Sequence, residues 1–150
     1  MNKHQKALHL NEQANDYALE MRYSKAITYY REALVLYLSL AKSNPNDYCL
    51  PIAHIFSNLS MIYFSLEQVK KSDDLYQNSL RMHRALAKMN PDKYAVELVR
   101  CLIDGVRYLG QHSVTLYEAE IVLNQISHAK GADNLVRVIR KLHSLSLASM

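Results

Sequence analysis

The 150-residue sequence has few of the residues that interrupt helices and form turns, with three glycines and three prolines. This scarcity excludes collagen-like and disordered classes and argues against an all-β fold, which needs many tight turns. The longest nearly apolar run, residues 33–41, is about half of what a membrane span requires. The first residues lead into no apolar signal region. The sequence therefore predicts a helical, cytoplasmic protein without a membrane segment.

Residues that carry chemistry are also scarce or poorly spaced. Cys49 and Cys101 share no short spacing, which favours buried thiols over a zinc site or a disulfide. No two of the seven histidines lie three or four residues apart, as metal ligands on one helical face would. No glycine-rich phosphate loop or nucleophile motif is present. We therefore expect no catalytic residue, no metal and no cofactor, and predict that the protein is not an enzyme.

A ten-residue stretch occurs twice in the chain. Residues 39–48 read SLAKSNPNDY and residues 85–94 read ALAKMNPDKY, at an offset of 46 residues. We interpret the first Asn of each copy as the left-handed end of one helix and the Pro as a residue that cannot continue it. The Asp or Asn that follows is then the cap of the next helix. A duplicated helix boundary predicts a duplicated structural unit.

The spacing of apolar residues predicts seven helices. Their expected ranges are 3–21, 25–43 with Ser24 as N-cap, 48–66, 69–89, 93–110, 113–130 and 134–148. The second helix is apolar around most of its circumference, which predicts burial between neighbours. The last is amphipathic, and five of its residues are predicted to face inward: Leu135, Val138, Ile139, Leu142 and Leu145.

Small residues and tyrosines recur with the same spacing in both copies. The pattern Ala14-x2-Tyr17-x8-Ala26-x3-Tyr30-x2-Ala33 is repeated as Ser60-x2-Tyr63-x8-Ser72-x3-Tyr76-x2-Ser79. Small side chains let two helices approach closely where they cross, and a tyrosine fills the space beyond. This pattern resembles the tetratricopeptide repeat (TPR) family, in a long-helix variant whose period is 46 residues instead of about 34. In a third copy either Tyr117 or, after a shift of two positions, Ala119 takes the place of the small residue.

The resemblance implies an all-α, right-handed helical-repeat solenoid of three antiparallel helix pairs and a C-terminal capping helix. The implied repeats are about 3–44, 47–90 and 92–130, with the cap at 134–148, in a single domain covering 1–150. TPR-like helix pairs imply a non-enzymatic adaptor or regulator that binds a protein or peptide in its concave groove. The groove positions correspond here to Asn11, Asn15, His54, Ser57, Asn58, Met61 and Leu102.

Two of these positions carry a more specific implication. Asn15 and Asn58 fall where chaperone-binding members of the family use Asn to hold a peptide backbone or its terminal carboxylate. Asn11, Val99 and Ile103 stand where the cationic residues of that carboxylate clamp would be needed. The sequence therefore disfavours a receptor for chaperone tails and favours an amphipathic or extended peptide.

Other interpretations of the sequence remain open. The groove asparagines are equally compatible with a solvated surface that binds nothing. Nucleic-acid binding is a second function, because basic residues form stripes on two helices: Arg81, Arg84 and Lys88, and Arg137, Arg140 and Lys141. A homo-oligomeric structural module that uses the apolar end of the groove is a third.

Overall fold

The computed structural model describes residues 1–126, 128 and 131–148. Seven α-helices and no strand occur in this part of the chain. The all-α class predicted from the sequence is therefore confirmed. No helix within the described ranges is long and apolar enough to cross a membrane. The helices are α1 (Lys3–Leu19), α2 (Tyr23–Ala41), α3 (Pro45–Ser65), α4 (Val69–Met89), α5 (Pro91–Tyr108), α6 (Thr115–Gln125) and α7 (Ala132–Ala148).

The chain divides into two compact units, Met1–Ser79 and Leu80–Met150, with the boundary inside α4. In the first unit α1 packs on α2, and α2 packs on α3. The first pair is antiparallel, because Lys3 Nζ donates to Ser39 Oγ near one end (3.0 Å) and the Tyr30 hydroxyl donates to Asn15 Oδ1 near the other. The predicted repeat limits and the single domain remain predictions.

Serines fill the contact between α3 and the first part of α4. Ser72 Oγ donates to the carbonyl of Ser60 (2.7 Å), and Ser79 Oγ donates to the carbonyl of Ala53 (2.8 Å). The hydroxyls of Ser57 and Ser79 lie 2.5 Å apart. Ser60 and Ser79 have no exposed surface. Small side chains allow this close approach, and the hydrogen bonds satisfy the buried hydroxyls.

In the second unit α5 packs on both α6 and α7, and α6 packs on α7. The last two helices are antiparallel, since Ser146 Oγ donates to Ser113 Oγ (3.0 Å) just before α6 begins, while His143 contacts Glu120 further along. The buried apolar residues of this unit include Leu98, Val99, Leu102, Leu116, Leu123, Leu135 and Ile139.

The turn after α1 and the turn after α3 have the same backbone conformation. Met21 and Glu67 are both left-handed, with φ of 59° and 62°. The amide of the residue that follows donates to the carbonyl of Tyr17 in the first turn (2.8 Å) and of Tyr63 in the second (2.9 Å). Each position is 46 residues from its counterpart, so the backbone of these turns repeats with the period of the sequence.

The repeated Asn-Pro pairs have a different role from the predicted one. Asn44 and Asn90 are the N-caps of α3 and α5, with φ of −135° and −146°, and neither is left-handed. Pro45 and Pro91 are the first helical residues, a position that suits proline because an amide there has no partner within the helix. Hence α3 begins three residues before Tyr48, where the sequence predicted its start.

Other helix ends also differ from the predicted ones. The left-handed turn at Met21 ends α1 at Leu19, and α2 then begins at Tyr23 with Arg22, not Ser24, as its N-cap. The helix predicted over 113–130 covers Thr115–Gln125, and its predicted end at Lys130 lies outside the described residues.

Burial resolves two further expectations. Ala119 has no exposed surface whereas Tyr117 exposes 59% of its own, so Ala119 is the small residue on the packed face of α6. In α7, Leu135 and Ile139 are buried, but the prediction that Leu145 faces inward is wrong. Its side chain is 58% exposed because it lies on the wall of an open cleft.

Candidate ligand-binding cavity of the first unit

A cavity of about 370 Å³ opens in the first unit. Its nine lining residues come from α1, α2 and α3, and none of them is charged. Apolar walls with a few polar groups are typical of sites for small ligands or single side chains. The lining consists of Asn15, Ala18, Leu19, Tyr23, Tyr30, Asn58, Met61, Ile62 and Ser65.

The Tyr30 hydroxyl joins the two asparagines that line this cavity. It donates to Asn15 Oδ1 and is also hydrogen-bonded to the side chain of Asn58. Because a phenol has a single proton to donate, the second bond must be donated by the Asn58 amide nitrogen. One tyrosine of α2 therefore fixes the orientation of an amide on α1 and of another on α3.

Tyr30 is held in its neutral form by its surroundings. Only 2% of its surface is exposed, and burial raises the pKa of Tyr30 from 10.0 to about 12, although the hydrogen bond from Asn58 acts in the opposite direction. The hydroxyl consequently remains protonated, and able to donate to Asn15, over the physiological range of pH.

The network leaves one donor group and one acceptor without protein partners. The amide nitrogen of Asn15 and the amide oxygen of Asn58 have no hydrogen bond among the described residues. Both side chains are half-buried at the cavity. The site therefore offers N–H donors on one wall and a carbonyl acceptor on another.

The structure brings only some of the predicted groove residues to this cavity. Asn15, Asn58 and Met61 line it. His54 is exposed and does not line it. Leu102, in the second unit, has no exposed surface, so in this conformation its side chain offers a partner nothing to contact.

The other two predicted groove residues lie elsewhere in the first unit. Ser57 is engaged with Ser79 in the contact between α3 and α4. Asn11, one helical turn before Asn15, keeps its Oδ1 buried without a hydrogen-bond partner among the described residues. A buried acceptor without a donor is unusual, but Asn11 does not line the cavity.

Sequence reasoning missed the residue that organises the site. Tyr30 was identified only as part of the repeated spacing of small residues and tyrosines, which signals packing. Its hydroxyl meets the two asparagines because three helices converge there, and no local spacing encodes that convergence. Four further lining residues, Leu19, Tyr23, Ile62 and Ser65, were also absent from the predicted set.

The second unit has a separate cleft of about 410 Å³ between the start of α6 and the end of α7. His143 Nε2 lies 3.0 Å from Glu120 Oε1. The centres of the Tyr117 and His143 rings are 5.1 Å apart. Ser113 and Ser146 also line this cleft. Within the described residues, no group of three His, Cys, Asp or Glu side chains is arranged to hold a metal ion.

The two basic stripes have different surroundings. In α4, Arg84 makes a two-pronged ion pair with Glu118, with nitrogen–oxygen distances of 2.9 Å. In α7, Arg137, Arg140 and Lys141 are exposed, and the described residues provide no ion-pair partner for them. The α7 stripe is therefore the more available of the two.

Comparison of the sequence with models of protein families and with curated proteins gives no match.

Proposed function

We propose that this chain is a non-enzymatic adaptor or regulator that binds a protein or peptide through the cavity of its first unit. The observation that carries the proposal is the Tyr30 hydroxyl, which orients Asn15 and Asn58 at a cavity without charged side chains. The 46-residue period shared by the turns at Met21 and Glu67 supports a TPR-like arrangement of long helix pairs. We propose that this arrangement is a right-handed solenoid closed by α7.

The groups at the cavity match the chemistry of a peptide unit. Asn15 offers N–H donors and Asn58 offers a carbonyl acceptor, which complement the C=O and N–H of one backbone amide. Ala18, Leu19 and Ile62 supply apolar surface for a neighbouring side chain of the ligand. A neutral, extended segment that carries an apolar residue fits this combination better than a free carboxylate would, because no cation lines the cavity to pair with a negative charge.

A selection from a random-peptide display library against the full chain, followed by calorimetric titration of the selected peptides, tests the proposal. We expect Asn15→Ala and Asn58→Ala each to weaken binding about 10- to 100-fold, since each leaves a peptide group unpaired. Asn134→Ala is the matched control, because Asn134 is an exposed asparagine of α7 in the other unit. Selected peptides that bind both cavity variants as tightly as the parent would contradict the proposal.

Two further comparisons sharpen the expected chemistry. Replacing a selected peptide's terminal carboxylate with an amide should leave its affinity unchanged, whereas methylating the nitrogen of the bound peptide unit should remove the hydrogen bond to Asn58. Tyr30→Phe keeps the ring but removes the hydroxyl that orients both amides. It should weaken binding although Tyr30 is almost fully buried.

A further inference from the structure

The outward face of α1 presents one apolar and two acidic residues at equal spacing. Leu8, Glu12 and Asp16 follow each other at intervals of four residues, and all three are exposed. At about 1.5 Å rise per residue, neighbouring members lie about 6 Å apart along the helix. Neither carboxylate has an ion-pair partner among the described residues.

The outward face of α7 presents the complementary set at the same spacing. Arg137, Lys141 and Leu145 are also four residues apart and exposed, and neither cation has an ion-pair partner in the described part of the chain. In α1 the leucine precedes the charged residues, whereas in α7 the leucine follows them.

We propose that α1 of one copy of this chain docks antiparallel on α7 of a second copy. This alignment places Leu8 opposite Leu145, Glu12 opposite Lys141 and Asp16 opposite Arg137. The contact joins two acids to two bases and buries an exposed leucine of each helix against the other. This surface is separate from the cavity of the first unit, so the proposal does not depend on peptide binding.

The order of the residues selects the antiparallel alignment. A parallel alignment that pairs Glu12 with Arg137 and Asp16 with Lys141 would place Leu8 opposite Asp133 and Leu145 opposite Glu20. Each leucine would then face a carboxylate, and neither would gain an apolar contact.

The antiparallel contact has a defined end. The position after Asp16 on the same face is Glu20, which would lie opposite Asp133. Glu20 already pairs with Arg22 at 3.5 Å, and like charges at this point limit the contact to two helical turns. Gln13, the neighbour of Glu12, would lie opposite Arg140 and can accept a hydrogen bond from it.

The proposed association is heterologous, because one copy contributes its first helix and the other its last. Each copy keeps one unused surface after pairing, so the association grows with concentration into open chains or closes into a ring. Exposed ion pairs are weak and screened by salt. We therefore expect the molecular mass to rise with protein concentration at low salt and to fall when salt is added.

Charge reversal tests the pairing directly. We expect Glu12→Lys/Asp16→Lys and Arg137→Glu/Lys141→Glu each to have the mass of a monomer in light scattering at a low-salt concentration where the parent associates. An equimolar mixture should associate again, because the basic α1 of the first variant can pair with the acidic α7 of the second. The helices left unchanged, the basic α7 of the first variant and the acidic α1 of the second, can also pair with each other. Circular dichroism of each variant verifies that the fold is retained.

Glu32→Lys/Lys42→Glu is the control, since both residues are exposed on or just after α2 and outside the proposed contact. It should associate as the parent does. A parent that stays monomeric at every concentration in low salt would overturn the proposal. Association of either charge-reversed variant alone at the parent's level, or a mixture that remains monomeric, would overturn it too.

Discussion

The two compact units close their turns with different residues. In the first unit, the left-handed positions are Met21 and Glu67, whereas in the second they are Gly110 and Gly131. Glycine takes this conformation without a steric penalty, and residues with a Cβ do not. The turns of the first unit therefore form because the helices on either side are held in place by packing. In the second unit the local sequence itself favours the turn.

The units also differ in where they place polar groups. The first has eight acidic and eight basic residues, contains eight of the eleven tyrosines, and buries three hydrogen-bonded serines. The second has ten basic and six acidic residues, which accounts for the whole net charge of +4. Hydrogen-bonding groups inside a neutral unit favour recognition of a neutral ligand, whereas an excess of surface charge favours electrostatic association. The proposed peptide site lies in the neutral unit, and the proposed association takes its cations from the second unit and its carboxylates from α1 of the first.

The largest expected effect tests whether the units are energetically separate. Ile139 of α7 is 1% exposed, and Ile139→Ala should destabilise the second unit by roughly 2–5 kcal/mol through lost burial and a new cavity. Hydrogen exchange followed by mass spectrometry should show faster exchange in residues 80–150 and no change in 1–79. Leu147→Ala, at a position of the same helix that is 71% exposed, is the control and should have little effect. Equal loss of protection in both units would show one cooperative domain.

A second prediction uses the buried tyrosine of the first unit. The pKa of Tyr30 is about 12 in the folded chain, against about 10 when unfolded. Because the folded pKa is raised, the contribution of Tyr30 to stability is complete below pH 10 and is lost as pH rises to 12. The free energy of unfolding from urea titrations should fall over this range by about 2–3 kcal/mol more in the parent than in Tyr30→Phe. An identical fall in both would contradict the assignment.

A third prediction concerns the serine contact between α3 and α4, which distinguishes the first unit. Ser60 has no exposed surface, and Ser60→Leu would force the two helices apart, at a cost of roughly 1–3 kcal/mol. Ser65→Leu is the control on the same helix, because Ser65 is exposed. If Ser60→Leu unfolds at the same midpoint temperature as the parent, this contact does not require a small residue.

The sequence predicted the helices well because their signal is local. The apolar spacing placed the fourth helix at 69–89, as the structure has it, and all seven helices exist. The starts of α3 and α5 were misplaced because an Asn-Pro pair is compatible with the end of one helix and with the beginning of the next. The side chain of Asn90 accepts from the amide of Lys93 at 3.3 Å, which identifies it as a cap only once the backbone is known.

The candidate site was less predictable because it depends on three helices at once. Repeat position was sufficient to propose Asn15 and Asn58, and both line the cavity. Their connection through Tyr30 required the packing of α2 between α1 and α3. Leu102 falls at a groove position of the repeat but is fully buried in a unit where α6 and α7 both pack on its helix, α5. A periodic pattern identifies a packed face without identifying which neighbour covers it.

The smallest expected effects concern the left-handed turn residues, which carry a Cβ in the first unit and are glycines in the second. Glu67 holds φ at 62°, a conformation that costs a residue with a Cβ about 1–2 kcal/mol. Glycine avoids this cost but loses more backbone entropy on folding, about 0.5–1 kcal/mol. We therefore expect Glu67→Gly to stabilise the first unit by up to about 1 kcal/mol.

The matched substitutions separate backbone conformation from side-chain effects. Glu67→Ala removes the same carboxylate but retains a Cβ, so it should bring none of the gain expected from Glu67→Gly. In the second unit Gly110 has φ of 69°, and Gly110→Ala should be destabilising by about 1 kcal/mol. Free energies of unfolding from urea titrations give all three values. If Glu67→Ala stabilised the chain as much as Glu67→Gly, the gain would come from loss of the carboxylate, and the contrast between the turns of the two units would have no energetic basis.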